Sequence, residues 1–214
     1  MTILITAGPT RESIDPVRYL TNRSSGKMGY AIAQAAAEMG HRVILISGPT
    51  QLDVPDGVDY VHTESAANMY DAVEHWIKKA DIAIFAAAVA DYRPAQITEH
   101  KIKKTGDTMT LELVRNPDIL GSSRSLFNFE GVLVGFAAET QNVEANARDK
   151  LNRKGCNFIV ANDVSRKDIG FDANENEVSL VYPNRTEPIG KHSKRHIGHL
   201  ILEKSLELAV ATTS

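Results

Sequence analysis

GPTRESIDPVRYLTNRSSGKMG, residues 8–29, decides how this sequence is read. It follows the short apolar run Ile3-Leu4-Ile5, a buried strand by its composition, bounded by Gly8 and Pro9. It closes on Ser24-Ser25-Gly26-Lys27-Met28-Gly29, after which residues 30–39 read as an Ala-rich helix. A strand, a polar connection and a glycine-bearing helix start is how an α/β fold turns backbone N–H groups toward an anion. Small residues at such a turn let a phosphate approach the main chain, where a Cβ would block it. Gly8, Ser24, Ser25, Gly26 and Asn22 are therefore the candidate phosphate or substrate contacts. The expected fold is α/β, with a Rossmann-like, doubly wound, mostly parallel sheet.

The connection is far longer than the roughly two to six residues usual at such a junction, and loops of that length are commonly functional. Three familiar readings fail on it. Thr21 and Met28 stand where a Walker A loop needs Gly and Ser or Thr. The compact G-x-G-x-x-G fingerprint is absent, because the whole insertion separates Gly8 from Gly26. The second strand, residues 42–47, runs into Gly48-Pro49-Thr50, where an NAD enzyme would place a ribose-binding acid. The geometry is Rossmann-like, but the ligand is not expected to be NAD.

Working outward, further strands are expected at residues 58–63, 82–87, 132–138 and 158–161, and helices at 66–79, 118–127, 143–153 and about 191–210. Residues 108–114 alternate strictly, with Met109, Leu111 and Leu113 on one side, so they read as a half-buried strand. Residues 101–114 then form a projecting β-arm within a flap at 92–116, and residues 177–182 alternate as an edge strand would. The 214 residues, 43% hydrophobic and 24% charged, suit a single α/β domain over 1–214. A net charge of −3 gives no basic face for nucleic acid. No apolar run approaches the ~20 residues that span a bilayer, and no basic leader precedes the first strand. The one cysteine, Cys156, excludes an internal disulfide and fits a reducing, cytoplasmic setting.

Several side chains admit two readings each. Asn22 offers donors and an acceptor without titrating, and equally suits a turn or helix cap. Arg18 fits a clamp on a carboxylate or an ion pair with Asp15 or Glu12. Lys101, Lys103 and Lys104 suit a polyphosphate or a solvated charge run. Asp91 fits a nucleotide hydroxyl, a Mg²⁺ ion against phosphates, or a cap. His192, His196 and His199 share one face of the expected last helix, but no Cys or carboxylate joins them, so a metal site is not expected. Cys156 precedes an apolar strand without a partner base and reads as a core residue.

Six segments, in order, resemble bacterial phosphopantothenate–cysteine ligases (phosphopantothenoylcysteine synthetases): ITAGPTRESIDPVRYLTNRSSGKMG at 5–29, AAAVADYRP at 86–94, KIKK at 101–104, NPDIL at 116–120, GFAAET at 135–140 and AND at 161–163. The resemblance covers essentially the whole chain. It implies a ligase of coenzyme A biosynthesis that joins 4′-phosphopantothenate to L-cysteine through an acyl-cytidylate. CTP and Mg²⁺ would be required, CMP and diphosphate released, and a homodimer formed through the β-arm. Because the chain starts at the ligase's first strand, the free-standing type is expected rather than a fusion behind a flavin-dependent decarboxylase.

The same resemblance assigns catalysis to Asn22, Lys101 and Arg18. It places the nucleotide on Phe85, Ala86, Ala87, Asp91, Lys101, Pro117, Asp118, Ile119, Leu120, Phe136, Lys150 and Lys154. Two other functions compete. A short-chain reductase would need Tyr-x-x-x-Lys, and none of the six tyrosines has Lys four residues on. A non-catalytic nucleotide sensor on the same fold would release no diphosphate.

Overall fold

The computed structural model describes residues 1–104, 106–163 and 173–213. Its first third comprises β1 (Thr2–Ala7), a short pair β2 (Arg11–Ser13) and β3 (Tyr19–Thr21), α1 (Lys27–Glu38), β4 (Arg42–Ser47) and β5 (Val58–His62). The middle holds α2 (Ala66–Ile77), β6 (Ile82–Phe85), a second short pair β7 (Tyr92–Pro94) and β8 (Leu113–Arg115), and α3 (Ile119–Ser125). Then follow β9 (Val132–Glu139), α4 (Val143–Lys154), β10 (Phe158–Asp163), β11 (Glu175–Val181), β12 (Thr186–Ser193) and α5 (Lys194–Thr213).

Eight strands form one sheet in the order β12-β11-β10-β9-β6-β1-β4-β5. From β1 the chain steps outward through β4 to β5, then returns to the other flank of β1 for β6, β9 and β10, all parallel. The order thus reverses between β1 and β6, where an α/β sheet opens a crevice beyond its carboxyl ends. Continuous apolar runs suit strands covered on both faces, and Ile3, Leu4, Ile5, Ile44, Leu45, Ile82 and Ile84 are fully buried. Each contributes about 1.5–3 kcal/mol relative to an exposed side chain. One face is covered by α1 and α5, the other by α2, α3 and α4. Among the described residues, no helix is long and apolar enough to cross a membrane.

The long first connection carries the antiparallel pair β2–β3. Three local readings need correction. Strand structure expected over residues 108–114 is confined to Leu113–Arg115, the stretch that pairs with Tyr92–Pro94. The segment expected at an edge is interior, since β11 pairs with β10 on one side and β12 on the other. The last helix starts at Lys194, because the residues before it belong to β12.

The turn after β4 is packed hard against the turn after β1. A Cβ built on Gly48 would lie 1.8 Å from the Pro9 carbonyl oxygen, a backbone atom that cannot swing aside. Gly48→Ala is therefore expected to destabilise the fold by about 1–3 kcal/mol or more. That change lowers the thermal midpoint by several degrees, roughly 2–4 °C per kcal/mol for a chain of this size. An unchanged midpoint by calorimetry would contradict the packing described.

Candidate active site

A cleft of about 1080 Å³ lies beyond the carboxyl ends of β1, β6, β9 and β10, at the point where the strand order reverses. Its first wall is made by the segments leaving β1 and β6, which zip together as a continuation of the sheet. Ala88 N–H donates to Gly8 O at 2.9 Å, Thr10 N–H to Ala88 O at 3.2 Å, and Ala90 N–H to Thr10 Oγ1 at 3.0 Å. Asn22 joins this seam, its Nδ2 donating to Ala88 O at 2.8 Å. One N–H of its amide is thereby fixed, which leaves the other N–H and the oxygen to face a ligand. The β2–β3 pair that delivers Asn22 is anchored from beneath. The carboxylate of Glu12 accepts Ala66 N–H at 2.9 Å at the start of α2, and Thr21 Oγ1 donates to Thr10 O at 2.8 Å.

Ser24, Ser25 and Gly26 line the cleft at the start of α1. Gly26 adopts φ 78°, a left-handed turn that glycine takes without strain, and no side chain caps the helix there. The first turn of α1 lines the cleft and turns the positive end of the helix dipole toward it. Gly8, expected among the phosphate contacts, does not reach the cleft. It is packed against the turn after β4, where a Cβ on it would meet Gly48 O at 2.9 Å.

The same cleft is lined by Phe85 at the end of β6, by Ala86, Ala87 and Asp91 after it, by the start of α3 from Pro117 to Leu120, by Phe136 in β9, and by Lys150 and Lys154 on α4. Lys150 Nζ donates to Phe136 O at 2.7 Å. Burial lowers the proton affinity of Lys150 and the nearby Lys154 charge adds to this, while Cys156, Glu139 and Asp91 oppose it. Lys154 pairs with Asp118, whose other oxygen caps α3 by accepting Gly121 N–H at 2.9 Å. Burial acts to raise the Asp118 carboxyl, but Lys154 and the Gly121 N–H hold it below the ordinary range. Cys156 is buried beside Gly135, and burial pushes its thiol up to about 12 despite Lys150, Arg124 and Lys154.

Six basic and four acidic side chains line the cleft, so a chain of net charge −3 gathers a local excess of positive charge there. That balance suits a polyanion. Among the described residues no cluster of three His, Cys, Asp or Glu side chains is placed to hold a metal by itself. The three histidines expected on one helix face are divided: His192 lies in β12 with its ring 4.6 Å from that of His196, while His199 approaches Glu38 at 3.4 Å.

Two expected catalytic residues stay outside the cleft of their own chain. Arg18 is turned onto Asp15, with Nε at 3.0 Å and Nη2 at 2.6 Å from Oδ2, and Nη2 also donates to Ile102 O at 2.8 Å. Lys101, the neighbour of Ile102, is exposed. Conversely, Lys27, Asn176 and Lys194 line the cleft without a signal in the sequence, and Asn162 of the AND segment joins them. Asn162 is buried and its Oδ1 has no hydrogen-bond partner. A buried acceptor left without a partner is costly. Its signal in the sequence was the AND segment at a strand's carboxyl end.

Comparison with known proteins matches residues 1–208 to the family described as DNA/pantothenate metabolism flavoprotein C-terminal domain. The chain is 50% identical over 208 residues to the coenzyme A biosynthesis bifunctional protein CoaBC of Vibrio parahaemolyticus, covering 96% of this chain and 52% of that protein. Against the Escherichia coli protein of the same name it is 45% identical over 207 residues, with coverages of 95% and 51%. It thus spans about half the length of the curated relatives it matches. A crystal structure of the C-terminal domain of a CoaBC protein superposes with a TM-score of 0.82 at 42% identity, covering 97% of this chain and 95% of that one.

Proposed function

This chain belongs to the family of DNA/pantothenate metabolism flavoprotein C-terminal domains, and on that premise we propose that it is a phosphopantothenate–cysteine ligase of coenzyme A biosynthesis, driven by CTP. The observation that carries this reading is the cleft itself. Asn22, an uncapped helix start and the Lys150–Phe136 wall converge on one basic crevice at the switch point. The chain matches a CoaBC C-terminal domain over nearly the full length of both.

The reaction must give an unreactive carboxylate a leaving group. The phosphopantothenate carboxylate attacks the α-phosphate of CTP, and the bond to diphosphate breaks. The cysteine amine then attacks the acyl carbonyl, CMP leaves with the bonding pair, and the amine loses a proton. No covalent protein nucleophile is needed, so positioning and charge stabilisation carry the catalysis. The α1 start and the cleft lysines hold phosphates, while Asn22 orients the acyl group against the incoming amine. The Phe136 carbonyl, Lys150 and Asn162 offer fixed polar contacts to the nucleotide. Asp91, a carboxylate lining the cleft, would help to hold Mg²⁺, which would supply neutralising charge for the nucleotide phosphates. Mass spectrometry of the protein with CTP, Mg²⁺, phosphopantothenate and cysteine should show phosphopantothenoylcysteine, CMP and diphosphate. Only unchanged substrates, with the protein folded, would refute the assignment.

The protein is also proposed to work as a homodimer. Tyr92, Ile97, Met109 and Leu113 of the flap are exposed, as are Val17 in the β2–β3 turn and Tyr19 in β3, and β2 packs beside β7. Apolar side chains gathered on a short two-stranded ribbon call for a covering surface. A second copy would supply it and bring Lys101 and Arg18 over its neighbour's cleft. Light scattering at micromolar concentration should return twice the chain mass; the mass of one chain would exclude this assembly.

A further inference from the structure

Asp15 sits buried in the turn between β2 and β3 and uses all its accepting capacity. Oδ1 takes the N–H groups of Val17 at 2.8 Å and Arg18 at 2.9 Å, bonds that close the local turn. Oδ2 does something a turn does not need. It accepts from Arg18 Nε and Nη2 and from Ile102 N–H at 3.1 Å, a residue 87 positions away. Arg18 Nη2 in turn donates to Ile102 O. Both polar groups of one flap residue are therefore gripped by a carboxylate and a guanidinium that also grip each other. A second tie lies one turn back, where Thr98 N–H and Oγ1 both reach Ile14 O, at 3.2 and 3.3 Å.

We propose that Asp15 is a positioning residue for Lys101: with Arg18 it fastens the flap at Ile102, and so fixes the adjacent lysine relative to the loop that carries Asn22. This rests on the ligase reading, in which Lys101 serves the departing diphosphate. In the dimer one loop then serves two sites, since Asn22 follows β3 directly into its own cleft while Ile102, beside the lysine that reaches the neighbour's cleft, rests on the β2–β3 turn. A lysine on an exposed flap gains reach from its flexibility but loses aim; a backbone anchor one residue away restores aim without pinning the side chain. Burial works against the Asp15 charge, but Arg18 and the N–H groups of Val17, Ile102 and Arg18 hold its carboxyl well below the usual range. A depressed carboxylate contributes its stability above ~pH 4 and loses it as the pH falls further, so the anchor is closed throughout the neutral range.

Asp15→Asn keeps the shape and an acceptor for the local turn, but removes the charge that holds Arg18. Tryptic cleavage after Lys101, Lys103 and Lys104 should then accelerate by roughly tenfold, as a released segment opens more often. Turnover should fall about 10- to 100-fold through kcat, the cost of a misplaced group. On a Lys101→Gln background the same change should cost nothing further. Ile102→Pro, which deletes the gripped N–H and leaves Asp15 and Arg18 in place, makes the Lys101 bond itself resistant to trypsin, but should reproduce the kinetic loss and the faster cleavage after Lys103 and Lys104, and carries the test if Asp15→Asn does not fold. Unchanged cleavage rates, or losses that multiply on the Lys101→Gln background, would overturn the proposal; multiplication would assign the loss to Arg18 or the fold. Full activity of Lys101→Gln itself would reject the catalytic lysine and with it the kinetic half, while the cleavage rates still judge the anchor.

Discussion

Asn22→Asp is expected to stall the reaction between its halves, with the acyl-cytidylate formed but consumed by cysteine on the order of 10²- to 10³-fold more slowly. The side chain is exposed in the cleft, so the near-isosteric change should leave the fold intact. Its consequence is local. The Asn22 amide donates to Ala88 O at 2.8 Å, a bond that an ionised carboxylate cannot make. The new oxygen would instead face a carbonyl oxygen and turn away, carrying its charge into the region where the acyl group reacts. Aminolysis builds negative charge on the acyl oxygen, and an added carboxylate opposes that step more than attack on CTP. Quenched single-turnover experiments with α-labelled CTP separate the two events, and undiminished overall turnover would remove Asn22 from the mechanism.

Lys101→Gln should act on the other half, slowing diphosphate departure about 10²-fold or more, the usual loss for one well-aimed charge in the transition state. Because Lys101 is exposed and outside its own cleft, the substitution is not expected to disturb the fold. The same placement gives a sharper test of geometry. Mixing Lys101→Gln with Asn22→Asp and allowing subunit exchange forms mixed dimers. If the lysine acts across the dimer, each mixed dimer has one intact site, and activity returns. If it acts within its own chain, both sites carry a defect and the mixture stays as slow as its parts.

Legibility in the sequence followed burial. Strands covered on both faces, such as Arg42–Ser47 and Val132–Glu139, announce themselves as apolar runs and lie within a residue or two of expectation. The strand Thr186–Ser193 could not be read, because TEPIGKHS has no apolar alternation and owes its conformation to pairing with β11. Once that strand was missed, the last helix was started too early and β11 was set at an edge. The same omission hid part of the site: Asn176 and Lys194 reach the cleft only because the β11–β12 pair delivers them. The opposite error occurred at residues 108–114, where alternation alone suggested a strand that a single chain completes only at its end. Asn22, Asp91 and Phe136, read from segments at or after strands, all line the cleft, because the sheet beneath sets where those segments emerge. What a side chain binds across 87 residues, as Asp15 binds Ile102, leaves no local pattern to find.

The state of Cys156 has a consequence for how the protein tolerates its own substrate. An enzyme proposed to handle free cysteine and to make a thiol product works amid disulfides and mixed disulfides. Exchange requires an accessible thiolate. The chain's only thiol is buried, with its ionisation pushed up to about 12, so neither glutathione-type adducts nor alkylating reagents should find a foothold. Inactivation by oxidants would therefore have to begin elsewhere. The same silence makes the protein a ready background for site-specific dyes: one cysteine placed at residue 103 would be labelled alone and would report the flap by fluorescence.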